Sequence, residues 1–250
     1  MPVEPLLSIR GVSKRFGGLL ALSSIDFDVA AGDIFGIIGP NGAGKTTLFS
    51  CLVGALPPTS GEIRFRGERI DRLPNHAVVK RGVVRTHQIV RPFREMTVTE
   101  NVAVGAHFGA GKRRGSEAVR RVGEILERTA LTPVASSLAS QLTIGQLKRL
   151  EIARALATEP QVVCFDEVMG GLNPGEIVGA MSLIRSIRDS GVTVLMIEHH
   201  VHAVVGLSNR IMVLNFGEKI AEGSPQAVLA NPAVVTAYLG DDAAPPGGKG

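Results

Sequence analysis

An α/β fold carrying a helical insertion is the architecture this sequence predicts, on three observations. The apolar run Ile34-Phe35-Gly36-Ile37-Ile38 feeds directly into a glycine-rich turn and then a helix-forming stretch. Two more near-continuous apolar runs, Val162 to Phe165 and Val192 to Ile197, read as parallel strands buried on both faces. The helical pattern from Pro174 to Asp189 lies between them and makes a βαβ unit. From about Thr97 to Thr158 the periodicity is helical, broken by the loop from Gly109 to Gly115. An α/β core at both ends of the chain therefore brackets a helical middle.

Taken in order, Leu7-Ser8-Ile9 and Ile25 to Val29 alternate with period two, as half-buried strands do. After the apolar run, a helix is expected from Gly44 to Gly54. Pro57 to Gly61 is a turn, and Glu62 to Gly67 alternates again as an exposed strand. Leu142 to Gln146 opens a helix running from Leu147 to Ala157, with Thr143 as a hydroxyl cap whose free N–H neighbours form an anion site. Two shorter strands, Ile211 to Leu214 and Lys219 to Ala221, precede helical segments that end near Leu239. The tail 241–250, rich in Pro, Gly and Ala, is expected to be disordered.

The glycine-rich turn reads Gly39-Pro40-Asn41-Gly42-Ala43-Gly44-Lys45-Thr46-Thr47, the phosphate-loop pattern GxxxxGK[ST] in the strand-to-helix context it needs. Its glycines let successive backbone N–H groups turn inward onto phosphate oxygens, because no Cβ blocks the approach. Lys45 then reaches the outer phosphates as a point charge. Thr46 offers a hydroxyl to Mg²⁺, and the following helix aims its positive end at the nucleotide. The chain is expected to bind a nucleoside triphosphate. The run Val162-Val163-Cys164-Phe165-Asp166-Glu167 ends a buried strand in two acids. Beside a phosphate loop, Asp166 is placed to hold Mg²⁺ and Glu167 to polarise a water for attack on the γ-phosphate.

Composition narrows the class. With 250 residues, 44% apolar and 20% charged, the chain is long and apolar enough to bury a core. The net charge of +4 is mild, and the cluster Lys112-Arg113-Arg114 reads as a solvated loop. Trp is absent and Tyr occurs once, so no aromatic RNA-binding platform accompanies it, and no nucleic-acid partner is expected. Cys51 and Cys164 fall in apolar segments without zinc-type spacing, as in a reducing compartment. Met1 to Glu4 lacks the basic-then-apolar start of a signal peptide, and no run approaches the ~20 apolar residues that span a bilayer. His199, His200 and His202 have no Cys or Glu to complete a closed metal site at helical spacing. An N-K-x-D guanine motif is missing, which argues against a GTPase.

Across nearly its whole length the chain resembles the ATPase subunits of ABC transporters. Gly39 to Thr46 is similar to the Walker A motif, Val162 to Asp166 to Walker B with the catalytic Glu167 after it. Leu142-Thr143-Ile144-Gly145-Gln146 resembles the LSGGQ signature, with Ile144 where Gly is usual. Gln88 falls at the Q-loop glutamine, His199 at the switch histidine, and Gly171-Leu172-Asn173 within the D-loop. Phe16 stands at the aromatic that stacks on adenine. Within the family the resemblance is closest to the ATPases of branched-chain amino acid importers. It is carried by Phe16 to Leu19, Arg85 to Gln88, Met96 to Val102, Gly171 to Pro174 and, most discriminating, Asn231 to Gly240. His87, Val168 and His200 depart from the usual aromatic, Pro and Asp, and Val168 either leaves the backbone after Glu167 freer than Pro would or leaves it to be held by neighbouring packing.

What the resemblance implies is a P-loop NTPase of ABC-ATPase type, an α/β fold with a mixed sheet core, an antiparallel β subdomain and a helical subdomain at about 89–158, all within residues 1–240. It implies ATP and Mg²⁺, the metal held by Thr46, Gln88 and Asp166, and catalysis by Glu167 with His199, Lys45 and Gln88. It implies a head-to-tail homodimer, or a heterodimer with a related ATPase subunit, in which Thr143, Ile144, Gly145 and Gln146 act on the partner's nucleotide. Two membrane permease subunits would hold the chain at the cytoplasmic face of the membrane and a periplasmic binding protein would act indirectly. Other cargoes, such as urea, amides or exported lipopolysaccharide, and a soluble non-transport ATPase are the rival readings.

Overall fold

The computed structural model describes residues 4–86, 91–111 and 113–239. They run through β1 (Leu7–Phe16), β2 (Leu19–Val29), β3 (Ile34–Ile38), α1 (Lys45–Leu52), β4 (Ser60–Phe65), β5 (Glu68–Arg69), α2 (Asn75–Lys80) and β6 (Val83–Arg85). Helices α3 (Val98–Phe108), α4 (Gly115–Arg128) and α5 (Ile144–Ala157) follow, and then β7 (Val162–Asp166), α6 (Pro174–Asp189) and β8 (Thr193–Ile197). The last elements are α7 (Val201–Leu207), β9 (Arg210–Asn215), β10 (Glu218–Gly223), α8 (Pro225–Leu229) and α9 (Pro232–Leu239).

Six strands form a mixed sheet in the order β10-β9-β3-β8-β7-β6, parallel except for the β9–β10 hairpin. The apolar runs owe their continuity to this position, because each strand sends alternate residues into two different cores. Phe35 and Ile37 of β3, Cys164 of β7, Leu195 of β8 and Met212 of β9 pack on one side, together with α1 and an antiparallel sheet ordered β2-β1-β4-β5. Ile34, Phe165, Met196 and Val213 pack on the other, against α6 and α7. A third apolar cluster, with Val102 of α3, Ile125 of α4 and Leu150 of α5, belongs to the helical layer. The mixed sheet, the antiparallel β sheet and the helical layer together make the α/β P-loop architecture expected.

Several local expectations change. The segment at Glu62 is half buried rather than exposed, since β4 lies between β1 and β5 and sends Ile63 and Phe65 into the core. Helix α5 begins at Ile144, three residues earlier than expected, because the Thr143 cap reaches Gln146 N directly. The solvated-loop reading holds for Arg113 and Arg114, which precede α4, Arg114 exposed and Arg113 half exposed with its guanidinium donating to Glu159 at 2.6 and 3.1 Å. Lys112 and the tail 241–250 lie outside the described residues.

Candidate active site

The loop between β3 and α1 turns on glycines whose backbone no other residue adopts cheaply. Gly44 caps α1 with φ 99°, and a Cβ there would stand 2.6 Å from the carbonyl of Ala21. No side chain caps α1, so its first-turn N–H groups face the loop. Lys45 is buried, and its ammonium donates to the carbonyls of Gly39 at 2.7 Å and Pro40 at 2.9 Å. Burial pulls this ammonium below the usual lysine range, while the Glu167 and Asp166 carboxylates push the other way.

Above the loop lies a cavity of about 560 Å³. Asn41, Gly42, Ala43, Gly44, Lys45, Thr46 and Thr47 line its floor, Phe16 one wall, and Glu167 and His199 the end where the central strands finish. Segments from five separate parts of the chain thus meet at one place. The His199 Nε2–H donates to Glu167 Oε1 at 2.8 Å. Phe16 is half exposed, with the Lys14 ammonium 5.2 Å from its ring centre.

Asp166 closes β7 with no exposure at all. One of its oxygens is paired with Arg85 of β6, and its backbone N–H donates to Thr86 Oγ1 at 3.1 Å. Arg85 also donates to Ser50 Oγ at 2.8 Å, and that hydroxyl donates to the Thr46 carbonyl at 2.8 Å. This relay fastens the first turn of α1 to the end of β7. The other oxygen, Asp166 Oδ1, is buried with no hydrogen-bond partner among the described residues. A buried anionic oxygen left in this way is costly without a cation, and an oxygen donor beside a phosphate site suits a hard ion such as Mg²⁺. The metal therefore fits the residues present at Asp166. Gln88 lies outside the described residues.

The signature residues do not line this cavity. Thr143 and Gln146 close a capping box at the start of α5, with Thr143 N donating to Gln146 Oε1 at 2.9 Å and Gln146 N to Thr143 Oγ1 at 3.3 Å. Ile144 projects from this turn at 61% exposure. A second capping box, between Asn173 and Glu176, starts α6 after Gly171 and Leu172. The two turns touch. A Cβ on Gly145 would lie 2.4 Å from Glu176 Oε1, and one on Gly171 would lie 3.8 Å from Ile144 Cγ2.

Sequence reasoning missed four residues here. Arg85, Lys148 and Glu198 were given no role of their own, although Arg85 stands in the stretch Arg85 to Gln88, because what they do arises from partners far along the chain. Phe216, 87% exposed, lines the same cavity from the β9–β10 turn. The turn itself was legible as a gap between two short strands, but its destination was not. Gly217 N–H ties it to the Ala43 carbonyl at 3.1 Å. Of the two readings of Val168, the fold agrees with a loop held by its surroundings. Val168 is buried, and the Lys148 ammonium donates to the Glu167 carbonyl at 2.8 Å.

Residues 22–170 match the family described as ABC transporter, and residues 218–244 match that described as branched-chain amino acid ATP-binding cassette transporter. The chain is 43% identical to the high-affinity branched-chain amino acid transport ATP-binding protein BraF of Pseudomonas aeruginosa, covering 95% of this chain and 99% of that protein. It is 42% identical to LivG of Escherichia coli with the same coverage, and 32% identical to the lipopolysaccharide export ATP-binding protein LptB of that organism. Among solved structures, the ADP conformation of the ATP-binding cassette MJ1267 superposes with a TM-score of 0.87 at 31% identity, over 96% of this chain and all of that one. The dimeric post-hydrolysis state of MJ0796 bound to ADP and Pi superposes with a TM-score of 0.79 at 26% identity, over 88% and 98%.

Proposed function

The chain belongs to the ABC transporter ATPases, in their branched-chain amino acid group, and we propose that it energises an importer of those amino acids by hydrolysing ATP at the cavity above the phosphate loop. The observation that carries the chemistry is the meeting of Glu167, His199, Lys45 and Thr46 in one cavity. ATP places its adenine against Phe16 and its phosphates on the loop N–H groups of residues 39–47 and the Lys45 ammonium. Thr46 and Asp166 would hold Mg²⁺, with Gln88. Bound there, the ion would supply positive charge to offset that on the phosphate oxygens. Glu167 orients the attacking water and accepts its proton, and His199 holds the Glu167 carboxylate in place while facing the γ-phosphate.

The turn at Thr143 to Gln146 lies apart from the chain's own cavity and presents Ile144 outward. It serves the nucleotide of a second ATPase subunit, identical or related, in a head-to-tail dimer with two composite sites. The D-loop at Gly171 to Asn173 joins the same interface. A groove of about 470 Å³ runs between the sheet and the helical layer, beside the exposed Phe108. This groove receives a cytoplasmic helix from one permease subunit, the second ATPase subunit engaging the other permease, and this keeps the chain on the inner face of the membrane. The periplasmic binding protein acts through those permeases. Among the described residues no helix is long and apolar enough to cross a bilayer.

The 43% and 32% identities to BraF and LptB favour amino-acid uptake over lipopolysaccharide export. Uptake of labelled leucine by cells lacking this chain should fall and return when the chain is restored. Undiminished leucine uptake, with loss of transport of another solute, would overturn the cargo.

A further inference from the structure

Glu167 stands in the left-handed backbone region, at φ 52°, where a residue with a side chain is disfavoured. Such a conformation lasts only where its surroundings over-determine it. The loop that Glu167 opens is tied on two sides by charged side chains that are themselves buried. From α5, Lys148, 8% exposed, donates through Nζ to the Glu167 carbonyl at 2.8 Å. From the link after β8, Glu198, 2% exposed, accepts at Oε1 from Met169 N–H at 2.8 Å. Two backbone bonds complete the hold, Glu167 N–H to the Ile197 carbonyl at 2.9 Å and Gly170 N–H to the Glu167 carbonyl at 3.2 Å.

Neither side chain lines the cavity above the phosphate loop. Both act on the backbone flanking a carboxylate that does. Burying an ammonium and a carboxyl group is expensive, and a hydrogen bond to a backbone group of the strained turn is one of the interactions that each makes there. We propose that Lys148 and Glu198 are positioning residues that clamp the loop at Glu167, so that its carboxylate is held at the angle hydrolysis needs. Lys148 lies on the same helix as the signature turn, one turn beyond Gly145. The helix expected to meet a partner's nucleotide thus also grips the catalytic loop of its own chain.

The proposal rests on the role given to Glu167, and its test separates the two. Steady-state ATPase rates and fluorescent ATP-analogue titrations are compared for the full chain and for Lys148→Met, Lys148→Arg, Glu198→Ala, Glu198→Gln and Glu167→Gln. Lys148→Met and Glu198→Ala should each lower kcat about tenfold, with nucleotide affinity within about twofold, since orientation is lost and binding is not. Lys148→Arg keeps a donor and Glu198→Gln keeps an acceptor, so each should recover most of the rate. A native kcat in both deletions, with Glu167→Gln inactive, overturns the clamp and leaves Glu167 in its role. A parallel fall of kcat and affinity that the conservative variants do not rescue assigns both residues to general stability and also overturns it. A Glu167→Gln chain that hydrolyses ATP normally removes the role of Glu167 and the clamp with it.

Discussion

Burial pushes the Glu198 carboxyl up to about 7, with the nearby Glu167 carboxylate adding to the rise and the Met169 N–H and Lys148 opposing it. In the unfolded chain the same group ionises near 4.5. Between those values the unfolded state gives up its proton while the folded state keeps it, so this group's contribution to stability falls as pH rises from about 4.5 to about 7 and is level above. Glu198→Gln cannot ionise and keeps an acceptor for Met169. Its stability relative to the native chain should rise with pH, by up to about 3 kcal/mol at pH 8, and the difference should flatten below pH 5. Urea unfolding at several pH values reads this directly, and a pH-independent difference would refute it. Gly145 carries a second residue-scale expectation. A methyl there meets Glu176, which must swing away from Asn173, so Gly145→Ala should cost about 1 kcal/mol by loss of that cap. An unchanged denaturation midpoint would mean that Glu176 moves without loss. Lys45, Thr143 and Glu167 were legible as residues because each lies in a contiguous pattern. Arg85, Lys148 and Glu198 were not, because their partners stand 81, 19 and 29 positions away.

Among the elements, those the sequence made plain are the ones whose pattern and environment agree. β3, β7 and β8 read as buried strands because both faces meet apolar cores, and α6 matches its expected bounds because Asn173, Pro174 and Glu176 write its start into the sequence. The elements that went unread are short. β6 has three residues, Val83-Val84-Arg85, and exists because it pairs with Val162 to Cys164 of β7. α2 and α7, of six and seven residues, are too brief for a helical period to show. The β9–β10 turn sets local preference against function. Phe216 at φ 45° and Gly217 at φ 80° form a two-residue hairpin turn of the type that favours Asn-Gly. Phe216→Asn should therefore stabilise the fold by roughly 0.5–1 kcal/mol while weakening ATP binding, since the ring lines the nucleotide cavity. Denaturation and nucleotide titration of one preparation decide the matter. Added stability at unchanged affinity would exclude Phe216 from the binding surface.

At the scale of the whole molecule, the proposed composite site predicts that damage to its two halves is separable. A dimer that pairs a Lys45→Ala chain with a Gly145→Asp chain keeps one intact site and should retain part of the activity, whereas each homodimer should be nearly inactive. The Asp at 145 acts twice, repelling the phosphates of the partner's nucleotide and crowding Glu176 in its own chain. No recovery in the mixed dimer would mean that the halves do not combine across the interface or that both sites must fire together. The central claim is narrower and concerns one carboxylate. Single-turnover hydrolysis by the Glu167→Gln chain at saturating ATP tests it most directly. The predicted result is a rate at least about a hundredfold below that of the native chain, with ATP affinity preserved, because the amide keeps the shape and loses the base. Hydrolysis at the native rate by that variant would contradict the account.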